Sequence, residues 1–103
     1  MTKREACNVL RQMYRILGNE EVRVVIDRRS KDCGYLELDE NGATVGLNSD
    51  AADQGGIVST LIHELLHIIY FGESERKIRR REREVYSALT DRQLRNLVAR
   101  AFS

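Results

Sequence analysis

Residues 57–71 read IVSTLIHELLHIIYF, and this stretch decides how the chain folds. A helix of this sequence is apolar almost all round, so the pattern predicts a central, buried helix rather than a surface helix. Gly72 ends the predicted helix, and the polar segment 49–56 precedes it. Within that segment, Asp50 and Asp53 are candidates for helix caps or for supporting a histidine.

Toward the N-terminus, the sequence predicts one helix and three strands. Thr2 and Glu5 have capping-box spacing, and apolar residues then recur every three or four positions until Gly18-Asn19. Residues 22–27, 35–39 and 43–48 have strand patterns, and Asn41-Gly42 favours a hairpin between the last two. We therefore expect a small, mainly antiparallel sheet with one face on the helices.

Toward the C-terminus, two more helices are predicted. Ser74 can cap a helix that runs to about Leu89, and Thr90 with Gln93 repeats the capping-box spacing before a last amphipathic helix. The predicted fold class is thus α+β, with an N-terminal helix, three strands and three further helices. A length of 103 residues allows one domain, 1–103.

Composition narrows the classes of protein that fit this chain. No apolar run approaches the roughly 20 residues that cross a bilayer, so no membrane partner is expected. The first residues alternate charged and apolar side chains without the features of a secretion signal. We expect a cytoplasmic monomer.

The chemistry is concentrated in His63-Glu64-Leu65-Leu66-His67. Side chains four apart lie above one another on a helix, so the two imidazoles can bind one ion at about 2.0–2.1 Å, as tetrahedral Zn²⁺ requires. Glu64 is rotated away from the two histidines and can face a water that the ion activates. Two core histidines without a metal are the alternative, but burying three polar groups without a use costs several kcal/mol.

A third ligand has to come from elsewhere, and a carboxylate is the expected type. Candidates after the motif are Glu73, Glu75, Glu82 and Glu84. Glu82 falls in the centre of the apolar face that Ile78, Val85 and Leu89 define on the next helix, whereas Glu84 lies among arginines. We predict Glu82 as the ligand and keep Glu84 as the second choice. If no metal is bound, the alternative role for Glu82 is an inward salt bridge to an arginine.

HELLH followed by a glutamate on the next helix resembles the gluzincin branch of zincin metallopeptidases. The size and element order resemble the single-domain minigluzincins, and residues 82–89 resemble the glutamate helix of ImmA/IrrE-type peptidases. The resemblance implies a zincin-like fold that hydrolyses peptides or proteins, with His63, His67 and Glu82 on zinc and Glu64 as general base and acid. It also implies a sheet-edge strand above the cleft, which by order is 43–48.

The chain departs from that pattern at Tyr86. Many gluzincins carry Asp or Asn four residues after the glutamate ligand, and Tyr86 occupies that position. Its phenol can hydrogen-bond a ligand or stabilise an oxyanion, or can simply pack, and Tyr70 allows the same alternatives. By resemblance to zymogen-like minigluzincins, a terminal segment can cover the metal, with Phe102 as the candidate plug.

Six basic residues between 76 and 83 form the remaining motif. Residues 1–75 carry 8 basic and 13 acidic side chains, whereas residues 76–103 carry 9 and 3. The run can contact nucleic-acid phosphates, but we favour a solvated helix face with Glu75–Arg79 and Arg80–Glu84 pairs. A metal-stabilised nucleic-acid-binding module and an inactive zincin-like interaction protein remain alternatives to a peptidase.

Overall fold

The computed structural model describes residues 1–48 and 56–103, which form an α+β fold. The N-terminal part contains α1 (Lys3–Leu17), β1 (Val22–Ile26), β2 (Gly34–Asp39) and β3 (Gly42–Leu47). The C-terminal part contains α2 (Gly56–Ile69), α3 (Glu75–Ala88) and α4 (Asp91–Ala101). The predicted Asp50 and Asp53 lie outside the described residues.

Helix starts follow the cap signals of the sequence. Thr2 accepts a hydrogen bond from the Glu5 amide, and Ser74 accepts one from the Lys77 amide. Thr90 and Gln93 form a complete capping box at the start of α4. These caps satisfy amide groups that have no partner inside the helix, so the predicted starts of all three helices are confirmed.

The sheet differs from the predicted one in strand order. The order is β1-β3-β2, with β3 parallel to β1 and antiparallel to β2, so the sheet is mixed rather than mainly antiparallel. The hairpin between β2 and β3 is confirmed, because Asp39 pairs with Gly42 across a two-residue turn. Successive strands alternate in direction as expected. The parallel pair arises because β3 inserts between β1 and β2.

The core lies around α2, as its apolar sequence predicts. Leu61, Ile62, Leu65 and Leu66 are fully buried. Burial of each such side chain stabilises the fold by about 1.5–3 kcal/mol. They pack in one cluster with residues of α1, β3, α3 and α4. Helix α2 is thereby fixed on several sides, while one remaining side faces a cleft.

In the part of the chain that the structure describes, no helix is long and apolar enough to cross a membrane.

Candidate metal centre and cleft

A row of three polar side chains on α2 faces α3. Ser59, His63 and His67 are spaced four residues apart and therefore lie on one side of the helix. The two imidazole rings meet edge to face with centroids 4.9 Å apart, and their Nε2 atoms are 3.2 Å apart. The HELLH spacing thus brings two ring nitrogens to one point, as the sequence predicts.

Glu75, the first residue of α3, completes this group. Its Oε1 lies 2.6 Å from His63 Nε2, and its Oε2 lies 2.9 Å from His67 Nε2. Among the described residues, His63, His67 and Glu75 form the one cluster of three His, Cys, Asp or Glu side chains close enough to hold a metal ion. The carboxylate closes the open side of the histidine pair.

Glu82 lies on the other side of the His63 ring. Its Oε1 is 2.8 Å from His63 Nδ1, and its Oε2 accepts a 2.7 Å hydrogen bond from Ser59. The structure therefore does not bring Glu82 to the Nε2 atoms, contrary to its predicted position as third ligand. The second choice, Glu84, faces the N-terminal amine and Arg80 at 3.9 and 3.8 Å.

The chemistry of the donor set fits a dication. When His63 donates its Nδ1 proton to Glu82, its Nε2 presents a lone pair beside His67 and the Glu75 carboxylate. Such groups repel one another unless a cation or a proton lies among them. Tetrahedral zinc with bonds of about 2.0–2.1 Å separates neighbouring donors by about 3.3 Å. The two Nε2 atoms are already 3.2 Å apart, whereas the two Glu75 oxygens, at 2.6 and 2.9 Å from them, would have to move back for one oxygen to become the third donor.

Electrostatics around the cluster follow from burial and hydrogen bonding. The hydrogen bond to Glu82 raises the pKa of His63. Burial would raise the pKa of Glu82, but hydrogen bonds from His63 and Ser59 prevail and lower it. Burial raises the pKa of Glu64 against the opposing effect of both histidines. Glu64 is 7% exposed, and it is the most deeply buried carboxylate of the described chain.

These side chains line one open cleft of about 810 Å³. Its helical wall comes from α2 and α3 and includes the histidines, Glu64, Glu75 and Glu82. Its other wall comes from β2, which contributes Gly34, Leu36 and Leu38, and Phe71 stands at the rim with 77% of its surface exposed.

The strand approaches α2 most closely at Gly34. A Cβ atom added there would overlap the Thr60 side chain and come within 3.4 Å of Glu64 Cγ. Only glycine allows β2 to pass this close to the helix that carries Glu64. The width of the cleft beside Glu64 therefore depends on this residue.

A clamp of three residues, Tyr70, Arg81 and Glu73, holds the turn between α2 and α3. The Arg81 guanidinium lies 3.7 Å from the Tyr70 ring centre and donates two hydrogen bonds to Glu73, at 2.6 and 3.1 Å. These contacts lower the pKa of Glu73 and raise that of Arg81, chiefly through their shared hydrogen bonds. Glu75 follows two residues after Glu73, so the clamp lies next to it in sequence. Tyr70 serves the clamp and does not line the cleft.

The structure differs from the sequence predictions at three places: two aromatic residues and one strand. Tyr86 is 37% exposed and is not among the residues that line the cleft. Phe102 is 44% exposed at the end of α4 and does not line the cleft either. Strand 43–48 is not a sheet edge, because β3 is the central strand and β2 borders the cleft.

Sequence reasoning named Glu75 only as a candidate and overlooked Ser59. A signal for both was present. Glu75 lies seven residues before Glu82 and three before Ile78, so it shares the inward face of α3. Ser59 lies four residues before His63 and so extends the histidine row. The choice of Glu82 overlooked how close a short turn brings the first residue of α3 to the end of α2.

Comparisons with known proteins found no relative. No protein-family model, no curated protein and no solved structure matches the chain. The function must therefore be argued from the site itself.

Proposed function

We propose that the chain is a zinc-dependent peptidase whose metal ligands are His63, His67 and Glu75. The observation that carries this proposal is the convergence of two Nε2 atoms and one carboxylate beside the buried Glu64 in an open cleft. Two histidines and a carboxylate are a ligand set that catalytic zinc uses, with a further position left for water or substrate.

A zinc ion bound there would supply Lewis acidity that polarises a water molecule and the carbonyl of the scissile peptide bond. Glu64 is the residue placed to move protons. As general base it removes a proton from the water while the water oxygen bonds to the carbonyl carbon, and as general acid it returns that proton to the amide nitrogen as the C–N bond breaks. Glu64 must accept and release the same proton, and its buried position in the cleft beside both histidines suits a group that does so.

Glu82 and Ser59 would orient the first ligand. Glu82 fixes the tautomer and rotation of His63 by accepting a hydrogen bond from its Nδ1, and Ser59 donates a hydrogen bond to the other Glu82 oxygen. A carboxylate in this position also makes the ligand nitrogen more basic. Glu82 thus supports the site through His63 rather than by binding the ion.

The β2 edge supplies the place for a substrate backbone. One side of β2 pairs with β3, and its residues Gly34, Leu36 and Leu38 line the cleft. An extended peptide can add to a free strand edge through main-chain hydrogen bonds. The proposed substrate is therefore an extended segment of peptide or unfolded protein.

Metal content and cleavage of unfolded casein test the proposal together. We expect about one zinc per wild-type chain, a large loss of zinc in His67→Ala, and casein cleavage that Glu64→Gln abolishes without loss of zinc. Glu84→Gln is the matched control, because Glu84 lies away from the histidines. A wild-type protein that binds no zinc overturns the proposal. Zinc without cleavage identifies an inactive metal-binding protein instead.

A further inference from the structure

Three arginines form a continuous row along α3, and the middle one lines the cleft. Arg76, Arg79 and Arg83 are spaced by three and four residues, so they are neighbours along one side of the helix. All three side chains are exposed. We call these residues the arginine row.

Arg79 connects the row to the proposed catalytic site. It lines the cleft, and its Nε lies 3.6 Å from Glu75 Oε1. In the described part of the chain, neither Arg76 nor Arg83 has an ion-pair partner, whereas Arg80 pairs with Glu84 and Arg81 with Glu73. Two members of the row therefore present uncompensated positive charge to solvent.

The rest of the cleft is acidic. Its described lining includes the carboxylates Asp32, Glu64, Glu75 and Glu82, and Arg79 is the one basic side chain among those lining residues apart from the histidines. A dication bound by Glu75 would compete with Arg79 for the Glu75 carboxylate and weaken that ion pair. The guanidinium would then be available to another anion, and a carboxylate fits its planar fork.

We propose that the arginine row selects peptides with acidic side chains next to the bond that is cleaved. This inference rests on the proposed peptidase function and names its substrate class. Arg76 and Arg83 are about 10.5 Å apart along the helix axis, at about 1.5 Å per residue. An extended peptide covers that length with about three residues, at about 3.3 Å each. A segment of about three acidic residues therefore matches the length of the row.

A peptide fits the row better than a nucleic acid does. The row is one helix face wide, contains three charges and meets the cleft at Arg79. Three phosphate contacts on a narrow face give weak binding at physiological salt, whereas peptide carboxylates gain from simultaneous binding in the cleft.

The test compares three fluorogenic peptides that share one central sequence. One carries three Asp on the N-terminal side, one carries them on the C-terminal side, and the third has Asn at all those positions. We expect kcat/KM for one Asp peptide to exceed that of the Asn peptide about fivefold at low salt, from two exposed charge pairs. The ratio should fall toward one in 0.5 M NaCl, and it should fall part of the way in Arg76→Gln/Arg83→Gln, which keeps Arg79.

The control variant is Arg92→Gln/Arg95→Gln, which removes the same charge from exposed positions of α4 that do not line the cleft. It should keep the wild-type ratio. Binding of the same peptides to the zinc-loaded Glu64→Gln protein measures the preference without turnover. If the wild-type protein cleaves none of the peptides but an Asp peptide still binds preferentially, the peptidase function is overturned and the selectivity of the arginine row is supported.

Two results would overturn the inference itself. One is an Asp-to-Asn ratio near one in the wild-type protein while the Asn peptide is still cleaved. The other is a ratio that Arg76→Gln/Arg83→Gln leaves unchanged while the same variant loses salt-dependent binding of a single-stranded oligonucleotide. That second result would assign the row to nucleic acid.

Discussion

The two walls of the cleft are built on different principles. The helical wall holds Glu82 by hydrogen bonds to Ser59 and His63, and it brings both histidines within 2.6 and 2.9 Å of the Glu75 carboxylate. The β2 wall carries no member of this cluster and is shaped by backbone pairing with β3 and by the close approach at Gly34. The helical wall therefore carries the proposed metal ligands and Glu64, and the β2 wall determines how wide the cleft is beside them.

This difference predicts that changes to the two walls have separate effects. Substitutions on the helical wall should alter metal binding while the fold persists, since polar groups there contact each other at the protein surface. Substitutions where β2 meets α2 should alter folding stability or the cleft width while the ligands remain. The predictions below separate the two responses, starting from the largest.

The largest effect is expected from replacing, one at a time, the two carboxylates of α3 that contact the histidines. Glu75→Gln removes a proposed ligand and should weaken zinc binding by more than about 100-fold, while Glu82→Gln should weaken it by about 10–100-fold. Competition with a chromogenic chelator measures both affinities. If Glu82→Gln loses as much zinc affinity as Glu75→Gln or more, Glu82 and not Glu75 is the third ligand.

The next effect concerns the β2 wall. Gly34→Ala places a methyl group against Thr60, so we expect the free energy of unfolding in urea to fall by about 1–3 kcal/mol. Gly34→Ala combined with Thr60→Ser should recover part of that loss. Gly18→Ala is the control, because a Cβ atom there has its nearest contact at 3.4 Å. Unchanged stability of Gly34→Ala would mean that the strand can move away.

A smaller effect is expected from the clamp in the α2–α3 turn. Arg81→Met removes the contacts to Tyr70 and Glu73, which should loosen Glu75 and weaken zinc binding by about three- to tenfold. Arg80→Met is the matched control, because Arg80 is exposed and pairs only with Glu84. Equal zinc affinities of the two variants would show that Glu75 is positioned without the clamp.

The smallest effect is expected at the chain end. Sequence resemblance to zymogens suggests that Phe102 covers the metal, and its removal would then raise activity. Because Phe102 lies outside the cleft, we expect deletion of Phe102 and Ser103 to leave casein cleavage within about twofold of wild type. A large gain in activity would instead support the hypothesis that Phe102 covers the metal.

Helices were predictable because their signals are local. Thr2, Ser74 and Thr90 each cap a helix through a residue three positions away, and the apolar run of α2 favours burial. The β2–β3 hairpin was predictable for the same reason. The β1–β3 pairing was not, because it depends on which strand inserts between the others and has no local marker.

The site was predictable in part. The spacing of His63 and His67 determines their convergence, and Glu64 occupies the expected buried position at the cleft. The choice between Glu75 and Glu82 needed the position of α3 along α2, which is determined by the turn and its clamp. Both glutamates lie on one face of α3, seven residues apart, and periodicity alone cannot rank them.

The proposed ligands all come from residues 63–75, a segment of 13 residues. Closing so short a loop costs little chain entropy, and contacts between near neighbours in sequence form quickly. We therefore expect an ion to be captured as soon as the start of α3 meets the end of α2, while β1 and α4 are still unattached. In that case the metal acts as a folding nucleus for the chain and not as a late addition to a finished scaffold.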